Sequence, residues 1–217
     1  MIVPSMTVNE VLKELVRDFE CIRRKSSVQG KLLQKEMLRK GMKQQTVSIS
    51  CKTSRRNDWN IVFQMSSQDI KTSFYVKAAD KVGVVVYSFI FENVGTANEE
   101  IYLLKYYKHF FDRYNERLAL DFTETSKTIR YFFKKNFDFD LSTTPQIENG
   151  LCCCHLAYSD GLGISWKNEE QKTYHLKTFV SSDMFTKNQQ QMVDYMRNDD
   201  LEDFSCIIKL AHLRKVV

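Results

Sequence analysis

Near Lys43 the hydrophobic repeat of this sequence switches from a helical period to a strand period, and that switch restricts the chain to folds that mix helix with sheet. Before it, Leu12, Val16, Phe19 and Ile22 fall at helical spacing, and Leu32, Leu33, Met37 and Met42 continue the stripe. This predicts a helix from Val8 to about Lys43, with a break near Ser26–Gly30. Thr7 followed three residues later by Glu10 has the form of a capping box, which fixes the start. After the switch, Thr46–Thr53, Trp59–Ser66, Thr72–Ala78 and Val82–Phe91 are β-rich and separated by polar turns such as Arg55-Arg56-Asn57-Asp58. Connections this short favour an antiparallel meander. The run Val84-Val85-Val86-Tyr87 reads as a central strand covered on both faces.

In the second half, Glu99 to about Leu120 reads as one helix and Thr125–Lys135 as another, with Asp121 and Thr123 as candidate caps. Phe137–Ser142 is open between strand and loop. Three strands are predicted at Gly150–Tyr158, Leu162–Lys167 and Lys172–Ser181, the first pair joined by the hairpin signal Ser159-Asp160-Gly161. Asp183 to about Arg197, with Ser182 available as a cap, and Leu201 to about Arg214 read as closing helices. The expected fold class is therefore α+β: antiparallel sheets with packed helices, an N-terminal helix plus β-meander followed by helix, helix, three-stranded meander and helices. The expected domains are residues 1–95 and 96–217, meeting near Asn93–Asn98, or else one continuous domain. No internal repeat recurs at a fixed period.

A hydrophobic fraction of 43% and an aromatic fraction of 12% supply a core and exclude a disordered chain. The net charge of +5 permits an anionic partner without demanding one. Basic residues gather between Lys13 and Lys43, where they read as a solvated helix face. No secretion signal stands at the start, and no run approaches the ~18 apolar residues of a spanning helix. The expectation is a soluble cytoplasmic protein, with no membrane segment and its six cysteines as free thiols.

The constellation that points to chemistry is His109-x3-Arg113-x3-Arg117. On a helix at about 100° per residue, Leu103, Tyr107, Phe111, Tyr114 and Leu118 form an apolar stripe. His109, Arg113 and Arg117 form a second stripe beside it, each displaced by about 40° from the last. Three cationic or potentially cationic groups on one face repel one another, and an anion docked there relieves the repulsion. Guanidinium groups bind phosphate oxygens bidentately, and an imidazole near neutrality gives or takes a proton. Those are the functions RNA cleavage needs, without a metal. The bland alternative is that the arginines pair with Glu116, Asp121 or other carboxylates and the histidine packs at the margin of a core.

The segment His-Phe-Phe-Asp-Arg-Tyr-Asn-Glu-Arg resembles the His-x3-Arg-x3-Arg helix of small toxin-like domains in the barnase–EndoU–colicin–RelE ribonuclease superfamily. In those domains a second helix and an antiparallel meander follow, and the last strand carries a small hydroxyl residue facing the motif. Here Thr125–Lys135 and Gly150–Ser181 stand in that order, with Thr178 in the corresponding place. The resemblance spans about Glu99–Ser182. It implies a metal-independent ribonuclease with no cofactor, in which His109 is the acid/base, Arg113 and Arg117 hold the phosphate, and Thr178 positions substrate. Two features depart from the pattern. Those domains are smaller, and Thr178 sits in phase with the apolar residues Tyr174, Leu176 and Val180. The competing expectation is a non-catalytic accessory protein of a mobile element or defence system. It would bind nucleic acid or a protein partner, antitoxin-like or a complex subunit, through the same basic face. An oligomerisation role through the apolar segment Phe204–Leu213 is a third.

Cys152-Cys153-Cys154-His155 lacks zinc-site spacing, because adjacent strand residues point to opposite faces. Only an approach of His175 across the sheet would give one of these thiols a basic partner. Asp138, Asp140 and Glu148 read as loop acids rather than a metal site. Neither a zincin motif nor a nucleotide-binding glycine fingerprint is present. The aromatic run through Tyr106, Phe110, Phe111, Tyr114, Tyr131, Phe132 and Phe133 reads as core.

Overall fold

The computed structural model describes residues 1–92, 100–148 and 151–197. It has the expected α+β class, with four helices and nine strands among the described residues. The chain divides into two compact units, Met1–Ser88 and Phe89–Val217. The boundary expected near Asn93–Asn98 and the closing helix expected at Leu201–Arg214 lie outside the described residues.

In the first unit, α1 (Val8–Arg39) begins at the Thr7/Glu10 capping box. The Thr7 hydroxyl accepts from the Glu10 amide at 3.3 Å, and the Glu10 carboxylate accepts from the Thr7 amide at 2.7 Å. Thr7→Ala is expected to cost about 1 kcal/mol, read as a lower urea midpoint. The helix runs unbroken through Ser26–Gly30, where the sequence suggests an interruption. Ser26 and Gly30 lie on its buried stripe, and a side chain at Gly30 would come within 3.1 Å of the Phe63 ring. Small residues here let helix and sheet approach rather than ending the helix. Strands β1 (Gln44–Lys52), β2 (Asp58–Ser66), β3 (Ile70–Asp80) and β4 (Gly83–Glu92) pair antiparallel in sequence order. Val85 to Ile90 are buried in succession, as a strand covered on both faces requires.

The second unit departs from the sequence reading at its start. The segment expected as one helix is a strand, β5 (Glu100–Tyr107), followed by a shorter helix, α2 (Lys108–Arg117). Leu103 and Tyr107 therefore leave the helical stripe. α3 (Thr125–Lys135) has Glu124 at its N-cap without a side-chain bond, so neither Asp121 nor Thr123 caps it. The Asn115 side chain pins the α2–α3 connection instead, donating to the Phe122 carbonyl at 3.0 Å and accepting from its amide at 3.2 Å.

The meander has four strands, because β6 (Asp140–Glu148) joins β7 (Leu151–Tyr158), β8 (Gly161–Asn168) and β9 (Thr173–Ser181). The spatial order is β5-β9-β8-β7-β6, with β5 parallel to β9 and the others antiparallel. Gly161 opens the hairpin at φ 157°, where any Cβ would lie 2.1 Å from the Val180 carbonyl. α4 (Lys187–Arg197) starts later than expected; Thr186, not Ser182, exchanges capping bonds with Gln189.

One face of this sheet carries an aromatic core under α2 and α3. Phe132 packs edge-on against Phe110, Phe111, Tyr114 and Tyr158 at centroid separations of 5.0–5.7 Å. Phe179 joins from β9, 5.9 Å from Phe110 and 4.9 Å from Tyr114. The opposite face is covered at one end by α4, where Val193 packs with Ala157, Leu162 and Val180.

Candidate nucleic-acid interface

Because α2 buries Phe110, Phe111 and Tyr114, its remaining faces are left to His109, Arg113 and Arg117. His109 is exposed, the second residue of α2, and makes no hydrogen bond with the described residues. Arg113 Nη1 lies 2.7 Å from Glu116 Oε2, with 40% and 65% of the two side chains exposed. An open pair three residues apart on a helix contributes about 0–1 kcal/mol. Lys108 pairs with Asp112 at 2.7 Å on the same helix.

Arg117 differs. Its Nη1 is buried and has no hydrogen-bond partner among the described residues. A buried guanidinium N–H without an acceptor costs upward of about 1–3 kcal/mol. One turn earlier, the Tyr114 hydroxyl donates to the Asp160 carboxylate, and Asn136 Nδ2 donates to both at 3.2 Å. Burial, then the Asp160 carboxylate, push the Tyr114 phenol far above its ordinary range, so it stays a donor. The network fixes the end of α2 from which Arg117 projects.

Thr178 is not brought to this stripe. β9 carries a bulge at Lys177: Ser165 pairs with Leu176, but Ile164 pairs with Thr178. The extra residue inverts the alternation, so Phe179 meets α2 and Thr178 shares the opposite face with Val180. The structure thus keeps His109, Arg113 and Arg117 on one helix and separates Thr178 from them. No hydrogen bond links Thr178 to the other three among the described residues.

The cysteine cluster does not form a site either. Cys154 is buried on the core side, its Sγ 3.5 Å from the Cys152 carbonyl, and burial pushes its thiol far up. Cys153 pairs across with Trp166, which pairs with His175, so a whole strand lies between Cys153 and His175. Among the described residues no group of His, Cys, Asp or Glu side chains is placed to hold a metal ion. Cys21, Cys51, Cys152, Cys153 and Cys154 are free thiols. The basic residues of α1 form a largely solvated face, as its sequence suggests. In the first unit a cavity of about 580 Å³ lies beside α1, lined by residues that include Lys25, Val28, Ile49 and Cys51.

Sequence spacing misses one cluster entirely. Lys105, Tyr107, Trp166, His175 and Lys177 meet on the sheet face opposite α2, contributed by three strands. The alternation of His175 and Lys177 with buried Leu176 is the one local signal for it. No helix among the described residues is long and apolar enough to cross a membrane. No protein-family model matches this chain, and neither the curated proteins nor the solved structures contain a match to it.

Proposed function

We propose that this chain is a nucleic-acid-binding protein that grips the phosphate backbone of RNA through the Arg113–Arg117 end of α2 without cleaving it. The observation that carries this reading is the buried, unpartnered Nη1 of Arg117, on the same stripe as an arginine whose own ion pair is exposed and weak. A phosphate can displace Glu116 from Arg113 at little cost, and it satisfies the Arg117 Nη1 once that side chain turns out of its buried position. Support for catalysis is thinner: His109 has no orienting partner among the described residues, and Thr178 faces the other side of the sheet. A general acid/base needs both a fixed orientation and a positioned substrate.

The test is titration of a fluorescent single-stranded RNA oligomer at several salt concentrations, with the RNA afterwards resolved on a gel. Arg113→Ala/Arg117→Ala is expected to weaken binding about 10-fold and to reduce the log–log salt slope by about 1.4, two phosphates at roughly 0.7 each. The oligomer should be recovered intact. Unchanged affinity in the double variant would remove the proposal. Cleavage in EDTA that His109→Ala abolishes would replace it with the ribonuclease reading.

A further inference from the structure

The second candidate surface lies on the sheet face away from α2. In the parallel β5–β9 pair Lys105 stands beside His175, and in the antiparallel β8–β9 pair Trp166 stands on its other flank. Directly paired residues project to the same face, and the side-chain contacts agree. The Tyr107 hydroxyl is 2.8 Å from His175 Nδ1, and the two rings lie nearly parallel, 19° apart in plane with centroids 6.1 Å apart. Lys105 Nζ sits 5.0 Å from the Tyr107 ring centre, and Lys177 Nζ 5.2 Å from that of Trp166. Lys177 is the bulged residue of β9, and its exposed ammonium lies over a half-buried indole.

This is poor chemistry for a packed core. Lys105 is only 8% exposed, and the cluster places two ammonium groups around one imidazole. Burial, followed by the charges of Lys105 and Lys177, pushes His175 down to about 4, so the ring is neutral at physiological pH. α4 covers the Ala157–Leu162–Val180 end of the same face. On the remainder Tyr107, Trp166 and His175 are half-buried and Lys177 is exposed.

We infer that this face is a base-stacking site for single-stranded nucleic acid, with Trp166 and the Tyr107–His175 pair taking bases and the exposed Lys177 neutralising the phosphate beside them. Aromatic rings with interleaved cations on a sheet are what unpaired bases require, since every base has a π face and every linkage a negative charge. An acidic peptide matches the charge and leaves the rings unused. The site is independent of the α2 stripe, because the two lie on opposite faces of the sheet.

The protein's own fluorescence reads it. Its two tryptophans are Trp59, 1% exposed, and Trp166, so quenching by added oligonucleotide reports Trp166. A short oligouridylate should quench emission saturably, whereas inorganic polyphosphate, polyglutamate and UMP should not at matched concentration. Trp166→Ala should weaken oligomer binding, followed by anisotropy, about 10-fold. Lys177→Glu, a change at an exposed position that leaves the packing alone, should weaken it at least as much. Wild-type affinity in Lys177→Glu would overturn the inference, as would equal quenching by polyphosphate, polyglutamate or UMP.

Discussion

Replacing Asp18 with alanine is expected to destabilise the protein by about 3–5 kcal/mol, a large share of the roughly 5–15 kcal/mol that holds a domain folded. Asp18 is 4% exposed on the inner face of α1, yet its carboxylate is fully used. Oδ2 accepts from Thr53 Oγ1 at 2.8 Å, Asn57 Nδ2 at 2.8 Å and Trp59 Nε1 at 3.2 Å, and Oδ1 lies 3.7 Å from Arg55 Nε. Thr53 to Asn57 form the β1–β2 turn, so one carboxylate ties the helix to the hairpin. Alanine would take the Asp18 acceptor from the buried Trp59 indole and leave the Asn57 amide with Glu14 alone at 3.3 Å, and that desolvation dominates the loss. Asp18→Asn keeps one acceptor oxygen and should cost about 2 kcal/mol. Urea unfolding followed by Trp59 emission measures both. A midpoint for Asp18→Ala that matches wild type would show that the turn is held by its backbone alone.

The parts of the fold legible in the sequence are those decided locally. The capping box at Thr7 and Glu10 fixes the start of α1, and turn chemistry places β1 to β4 within a few residues of their observed ends. Where pairing partners are distant, the reading fails. Leu103 and Tyr107 are four apart, a spacing that puts two residues on one side of a helix and also on one face of a strand. What decides between them is the parallel pairing of β5 with Thr173–Leu176, far along the chain. β6 is hidden for a similar reason. It carries Pro145 within a polar run and stands at the edge of the strand order, where a proline is tolerated. The start of α4 was available, since Thr186-x-x-Gln189 has the form of a capping box.

The candidate site divides along the same line. His109, Arg113 and Arg117 share α2 because their stripe depends only on helical geometry. The orientation of Thr178 depends on a bulge at Lys177 that no residue pattern announces. Without it Thr178 would lie in phase with Leu176, on the side of α2; with it, that place goes to Phe179. Lys177 stays on the Trp166 face, where alternation with His175 already puts it, so the one extra residue acts on the site by separating Thr178 from the helix.

His175 should make the protein acid-labile in a defined window. Its imidazole ordinarily titrates near 6.5 and is held down to about 4 here, first by burial and then by Lys105 and Lys177; Tyr107 from β5 and Trp166 from β8 complete its surroundings. Between those values the unfolded chain carries the proton and the folded chain does not, so the unfolded state binds more protons and stability rises with pH. The contribution is complete above about pH 6.5 and is lost as pH falls toward 4, by about 3 kcal/mol in all at about 1.4 kcal/mol per unit. His175→Gln removes the titration. Urea unfolding at pH 7, 5.5 and 4 should show wild type losing about 3 kcal/mol more than the variant. His155, which burial also pushes down, is present in both proteins and cancels. Parallel profiles would mean that His175 titrates freely and is not enclosed by the two lysines. If it is enclosed, the same linkage reaches the ligand. Phosphate beside Lys177 offsets part of the positive charge around His175 and raises its pKa, so wild type should bind oligonucleotide more tightly as pH falls from 7 to 5, and His175→Gln should show a flatter dependence.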